Sequence, residues 1–256
     1  MSKRVFAHVP YLQLEAHLPF LLERRINPEV FLSADALDVM VPSQLAATAR
    51  VLREEGLCCT IHAPFMDLNP GSLERMLRDA TMHRFSQVLE AAQTLQPEVM
   101  VFHPGFDRWR YGNALDRWLE LSVAAWRKVL DRAREIGTVI AVENIFEEEP
   151  STLKALFEAV DDPIFRHCFD VGHWNLFRKV TMEEWFEVLG GRIAEVHIHD
   201  NSGTRDDHAP PGQGAIDFVQ FFQLMERWAP DAAYTIEAHS RPHLDSSLEA
   251  LRPYLE

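Results

Sequence analysis

Cysteine is scarce in this chain: three residues in 256, at Cys58, Cys59 and Cys168. Two are adjacent and the third is distant. That spacing excludes a disulfide framework and a zinc ribbon, and it fits a reducing, cytoplasmic compartment. Long apolar runs are missing too, with no stretch near the roughly 18 uninterrupted residues that a membrane-crossing helix needs. The opening segment, MSKRVFAHVPYLQLEAHLPFLL, turns from basic to apolar, but His8, Pro10, Gln13, Glu15 and His17 interrupt it. It is not read as a signal peptide. Positive charge is short as well: 25 Lys and Arg stand against 39 Asp and Glu, for a net charge of −14. An acidic surface repels phosphate backbones, which argues against nucleic acid as a partner. No Gly/Ser linker, repeat or low-complexity tract divides the chain, so residues 1–256 read as one domain.

What is present is an alternation of short β-branched or apolar runs with longer helical stretches. Eight strands are expected, at Arg4–His8, Glu29–Leu32, Cys58–His62, Val99–His103, Val139–Glu143, His167–Asp170, Ile193–His199 and Ala233–Glu237. Helix ends are marked between them. Ser151 is expected to cap STLKALFEAV, Thr181 and Glu184 to form a capping box, and Asp217 to cap FVQFFQLMERW. Gly137 and Gly190 are expected to stop the helices before them. Strand then helix, eight times in about 250 residues, predicts an α/β fold, a single (β/α)8 TIM barrel. An open doubly wound sheet usually carries a glycine-rich turn after its first strand, and HVPYLQLE is not one.

The strand ends carry the chemistry. They read TIH with His62, VFH with His103, AVE with Glu143, FDVGH with Asp170 and His173, HIH with His199, and TIE with Glu237. About one residue in five is Asp, Glu or His, so six successive strands ending this way by chance has a probability on the order of 10⁻⁴. The carboxyl ends of barrel strands converge on one face. Several carboxylates buried there cost many kcal/mol unless cations compensate them. Imidazole mixed with carboxylate suits zinc, manganese, iron(II) or cobalt better than calcium. Asp206 and His208, two apart in the loop after His199, are expected to face the same place. On their own they read as ordinary loop residues.

As a set, these motifs resemble the xylose-isomerase-like TIM barrels, a family that includes sugar isomerases and epimerases and also endonuclease IV. The resemblance covers nearly the whole chain and has two branches. In the epimerase branch one divalent ion is held by Glu, Asp, His and Glu, matched here by Glu143, Asp170, His199 and Glu237. The same resemblance implies catalytic proton transfer by Glu143 and Glu237 on a sugar or sugar phosphate, through an enediolate. Glu149, His173 and Arg205 match helpers of that branch, with Glu149 and Arg205 on the substrate side. The endonuclease IV branch carries three zinc ions on nine side chains. All nine have counterparts: His62, His103, Glu143, Asp170, His173, His199, Asp206, His208 and Glu237. One to three divalent ions, Zn or Mn, are therefore expected, and a homodimer is compatible with the family.

Loop composition favours the sugar. SADALDVMVP after the second strand has two Asp and no Lys or Arg to meet a phosphate backbone. Phe65 and Met66 after the third strand can roof a small sugar, wedge between bases, or simply pack. GFDRWRYGN after the fourth offers Arg108, Arg110 and Tyr111 with Trp109, a ring to stack on beside cations for an anion, or else a solvated loop. His8 ends the first strand and can touch the site, but reads first as a satisfied core histidine. His17, His83, His167 and His243 lack partner spacing, and Trp174 either lines the cavity or packs.

Overall fold

The computed structural model describes residues 3–255. Its strands are β1 (Val5–Pro10), β2 (Asn27–Phe31), β3 (Thr60–His62), β4 (Val99–Phe102), β5 (Val139–Glu143), β6 (Phe165–Asp170), β7 (Ile193–Ile198) and β8 (Ala233–Ile236). They pair in parallel in that order, and β8 closes on β1, forming a (β/α)8 barrel. β3 is shorter than the sequence suggests, because Cys58 and Cys59 precede the ladder. His103, His199 and Glu237 lie just past their strands, where the chain is already turning into a loop.

Strand side chains alternate between two faces, and that parity organises the molecule. On β7, Val196 and Ile198 join the large apolar layer between sheet and helices. Glu195 and His197, on the other face, make their contacts across the barrel interior instead. The same split sets Ile61 against Thr60 and His62 on β3, and Ile236 and Tyr234 against Thr235 and Glu237 at β8. One part of the interior is filled by small apolar residues, Val99, Val101, Ala141 and Cys168. The remainder holds Glu29, Thr60, Glu195, His197 and Thr235, all buried.

Outside, amphipathic helices such as Arg75–Leu95, Leu115–Ile136 and Phe218–Trp228 cover the sheet with Phe85, Trp126, Phe221 and their neighbours. The Thr181–Glu184 capping box forms, and Asp217 caps by accepting from the Gln220 backbone N–H at 3.0 Å. Gly137 ends its helix in the left-handed region at φ 81°. One boundary differs from expectation. Pro150, not Ser151, holds the cap position of the helix Ser151–Val160. Gly190 caps the helix Met182–Leu189 as expected, and a short 3-10 turn, Gly190–Arg192, follows it. Among the described residues no helix is long and apolar enough to cross a membrane. The three cysteines are free.

Candidate metal centre

The barrel's carboxyl-terminal mouth gathers imidazoles and carboxylates from five consecutive strand ends, β3 to β7, and from the segment after β8. Glu143, at the end of β5, is the hub. Its Oε2 lies 3.2 Å from His62 Nε2 and 3.2 Å from His103 Nε2, and its Oε1 lies 3.0 Å from His173 Nδ1. His199 Nε2 stands 3.2 Å from Asp170 Oδ1. Glu237 is held more loosely, with His197 Nδ1 at 3.3 Å, His208 Nδ1 at 3.5 Å and His8 Nδ1 at 3.6 Å. Asp206 meets His208 Nε2 at 3.1 Å, His173 Nε2 at 3.5 Å and His199 Nδ1 at 3.6 Å. All nine residues proposed from sequence as ligands therefore converge on one rim.

Local backbone structure explains the convergence. Asp170 caps the short helix Val171–Phe177 by accepting from the His173 backbone N–H at 2.6 Å, which places His173 on the first turn beside it. Asn144 ties β5 to β6 through reciprocal 2.9 Å bonds with the Asp170 backbone. The loop after β7 is folded by Asp200, whose buried carboxylate accepts from the backbone N–H groups of Asn201, Gly212, Gly214 and Ile216 at 2.8–3.3 Å. A two-way backbone bridge between Asp200 and Ala209 completes the fold-back. His208 adopts φ 46°, a left-handed conformation that costs a non-glycine residue about 1 kcal/mol. Its ring stacks on His199 at 4.0 Å and on His239 at 4.2 Å.

The electrostatics are those of a site built around positive charge. Burial opposes ionisation of Glu143, yet the His103 and His197 imidazoles hold its carboxyl well below the usual range. Asp170 is lowered in the same way, burial being outweighed by His173 and His199. In return, despite burial, Asp170, Asp206 and Glu143 push His173 well above the ordinary imidazole value. His208, also against burial, is lifted to about 9, chiefly by Asp206. Protons here occupy positions that a cation can take.

The donor set fits a divalent metal. Donor atoms of His62, Glu143 and His197 lie within 4.8 Å of one another, as do those of Asp170, His173 and His199, and those of His199, His208 and Glu237. The Nδ1 atoms of His173, His197 and His199 are buried without a hydrogen-bond partner. Buried polar atoms are normally satisfied, so these nitrogens are available to a ligand at the mouth.

The residues expected on the substrate side are dispersed. Phe65 is half-buried beside the ring, stacked on His103 at 4.4 Å and near Phe31 at 5.8 Å. Trp109 is 85% exposed, with the Arg108 guanidinium over its face and Arg108 itself paired to Glu148. Arg205 points to solvent and pairs with Asp207 at 3.4 Å. Glu149 is exposed and accepts a hydrogen bond from the Ser151 hydroxyl at 2.8 Å. Among the described residues no hydrogen bond or ion pair joins Glu149, Arg205 or Trp109 to the ring. The glutamate of that run that is buried near Glu143 and His173 is Glu147, whose carboxyl burial lifts to about 7.

Sequence reasoning also missed a layer beneath the ring. His8 is satisfied, as expected, by Glu29 at 2.9 Å, and it also faces Glu237 at 3.6 Å. Glu29, His197 and Asp200 were legible only through strand parity and loop spacing.

The barrel is what the relatives share in overall form. A model of the xylose isomerase-like TIM barrel matches residues 29–254, and the chain belongs to that family. A curated relative, the uncharacterized protein MJ1311 of Methanocaldococcus jannaschii, is 29% identical over 203 residues, covering 77% of this chain and 69% of its own. Among solved structures, a D-tagatose 3-epimerase-like protein superposes with a TM-score of 0.84 at 25% identity, covering 98% of this chain and 97% of that one. The TTHB071 protein of Thermus thermophilus, in crystals soaked with ZnCl2, superposes with a TM-score of 0.80 at 26% identity and the same coverage.

Proposed function

We propose that the chain is a divalent-metal-dependent sugar or sugar-phosphate isomerase or epimerase. Its family and its likeness to a D-tagatose 3-epimerase-like protein support a sugar substrate. The observation that carries the reading is the placement of Glu143 and Glu237, from β5 and from the end of β8, on one buried ring of imidazoles. Glu143, Asp170, His199 and Glu237 would hold a first ion, Zn or Mn. His62, His103, His173, Asp206 and His208 would hold any further ones. When bound, such an ion polarises a carbonyl and offsets the charge that develops on its oxygen.

The protein's own groups divide the remaining work unequally. Glu143 is gripped at both oxygens by contacts of 3.0–3.2 Å, whereas the contacts to Glu237 run from 3.3 to 3.9 Å. The looser carboxylate has the freer lone pair. Glu237 therefore takes the proton from the carbon beside the carbonyl, and the C–H electrons pass into an enediolate. Glu143, across the site, passes a proton from the His173 imidazole, 3.0 Å from its Oε1, to the neighbouring carbon or to the opposite face, while Glu237 gives up to solvent the proton it took. The aromatic side of Phe65 and His103 can cover the sugar and exclude water.

The test is solvent exchange. Metal-loaded protein in D2O, offered a panel of ketoses and ketose phosphates, is expected to place deuterium beside the carbonyl. Glu237→Gln should slow exchange by at least about 100-fold. Loaded protein that exchanges nothing across the panel would refute the reading.

A second reading is favoured by one observation, that all nine residues of the trinuclear set meet. In that reading the chain hydrolyses phosphodiesters. Pairing of Arg108 and Lys179 with Glu148 leaves fewer free cations for a duplex backbone and counts against it. Incision of abasic-site DNA by protein holding three zinc ions would establish it over the first.

A further inference from the structure

Arg166, Cys168 and Asp170 share the inward face of β6, because strand side chains alternate. Asp170 reaches the ring at the mouth, and Cys168 joins the apolar plug of Val99, Val101 and Ala141 in the middle of the barrel. Arg166 is left at the opposite, amino-terminal opening. A cavity of about 290 Å³ lies there, beneath the plug. Val99 and Val139, on the underside of the plug, line it together with Ile193 and the Trp228 ring.

The charges around this cavity do not cancel. Arg4 pairs with Glu98 and donates from Nη2 to the Asp231 carbonyl at 2.6 Å. Asp231 is exposed and keeps its carboxylate in water. Arg166 is half-buried, and among the described residues it meets no carboxylate. Its one hydrogen bond there runs from Nη2 to the Gly191 carbonyl at 3.1 Å, which leaves most of the guanidinium fork open. Burial, and after it the Arg192 guanidinium, push its pKa down, as for a cation held without compensation. Arg227 adds positive charge over the Trp228 ring, at 5.2 Å from its centre.

We propose that this cavity is a second binding site, for a small monocarboxylate with an apolar or aromatic body. The carboxylate sits on the Arg166 guanidinium, and the body lies against Val99, Val139, Ile193 and Trp228. A planar guanidinium fork matches a carboxylate through parallel charge-assisted bonds. One uncompensated cation answers one negative charge, whereas Glu98 and Asp231 would repel the second charge of a phosphate monoester. The apolar walls favour a body that gains by leaving water, and the cavity is at the small end for ligand sites. The plug separates this site from the metal centre, so the inference stands independently of the metal-dependent reading.

The experiment is isothermal titration of the protein as purified, wild type and Arg166→Gln, with benzoate, benzamide and phenyl phosphate at about pH 7. Benzoate is expected to bind wild type with a Kd of about 1 mM or tighter, and benzamide and phenyl phosphate at least about tenfold more weakly. Arg166→Gln should weaken benzoate by at least about tenfold. Wild-type crystals soaked in para-bromobenzoate give a readout that does not depend on the variant folding. An anomalous bromine peak is expected in the floor cavity, with the carboxylate within about 3 Å of the Arg166 guanidinium nitrogens. Benzoate binding undiminished in Arg166→Gln, a bromine peak at the metal-centre mouth alone, or phenyl phosphate bound more tightly than benzoate would each overturn the inference. So would wild-type protein that does not approach saturation at about 10 mM benzoate. The metal-dependent reading survives all of these results.

Discussion

Gly172 lies so close to the His199 ring that a Cβ built on it would stand 2.0 Å from the ring's Cε1. No other residue fits there without moving the imidazole. Gly172→Ala is expected to displace His199 from Asp170, with an overpacking cost of about 1–3 kcal/mol. Divalent-ion affinity should fall at least about tenfold, since one ligand is mis-aimed. Chelator competition and thermal melting check the pair of effects. A variant with wild-type affinity would mean that His199 does not ligate.

Asp200 is the fastening of the loop that carries Asp206 and His208. Asp200→Ala strips the acceptor from four backbone N–H groups, each costing about 1–3 kcal/mol where it stays buried. Opening of the loop to water relieves part of this. The expected result is a lower melting temperature together with new protease cleavage between residues 201 and 216. Metal stoichiometry should drop if more than one ion is bound, because Asp206 and His208 leave while Glu143, Asp170, His199 and Glu237 stay. Resistance to protease equal to wild type would show the fastening to be redundant.

These two residues mark the limits of what the sequence discloses. The barrel is readable because strand and helix periods alternate cleanly, and because EVHIH on β7 alternates imidazole or acid with apolar residues in strict period two. The ring is readable because strand ends converge by topology. The same parity places His197 beside His199 and carries Glu29 inward on β2, yet an acid at a strand's start looks like any solvated edge residue until the barrel closes over it. The three glutamates at 147–149 show the opposite failure. Spacing picks Glu149, but the turn after β5 buries Glu147 and leaves Glu149 bonding Ser151. Which member of an acidic run faces inward is set by backbone dihedrals that composition does not encode.

Proton linkage gives a test by pH. Burial lifts Glu147 to about 7, and burial with the Glu29 charge lifts Glu195 to about 8. Although burial opposes it, Asp206 lifts His208 to about 9. A group with a raised folded pKa stabilises fully below its unfolded value and loses that contribution as pH rises through the folded one. The metal-free protein is therefore expected to lose melting temperature between about pH 5 and about pH 9. Glu143 and Asp170 act at the acid end. Their lowered values give stability that is present above the usual carboxylate range and lost as pH falls through the folded values.

Binding of a cation must expel the imidazole protons, so apparent affinity should rise with pH up to about 9. Isothermal titration in buffers of different ionisation enthalpy reads the released protons directly. Binding without proton release at about pH 7 would contradict this arrangement of charge.

The central claim is that divalent charge is what holds these acids and imidazoles together. Its most direct test is elemental analysis of freshly purified protein, paired with thermal melting before and after chelation. At least one equivalent of zinc, manganese or a similar ion is expected, with a melting temperature that falls on chelation and recovers when the ion is restored. Protein that carries no metal, takes up none, and melts at the same temperature with or without chelator would contradict the account.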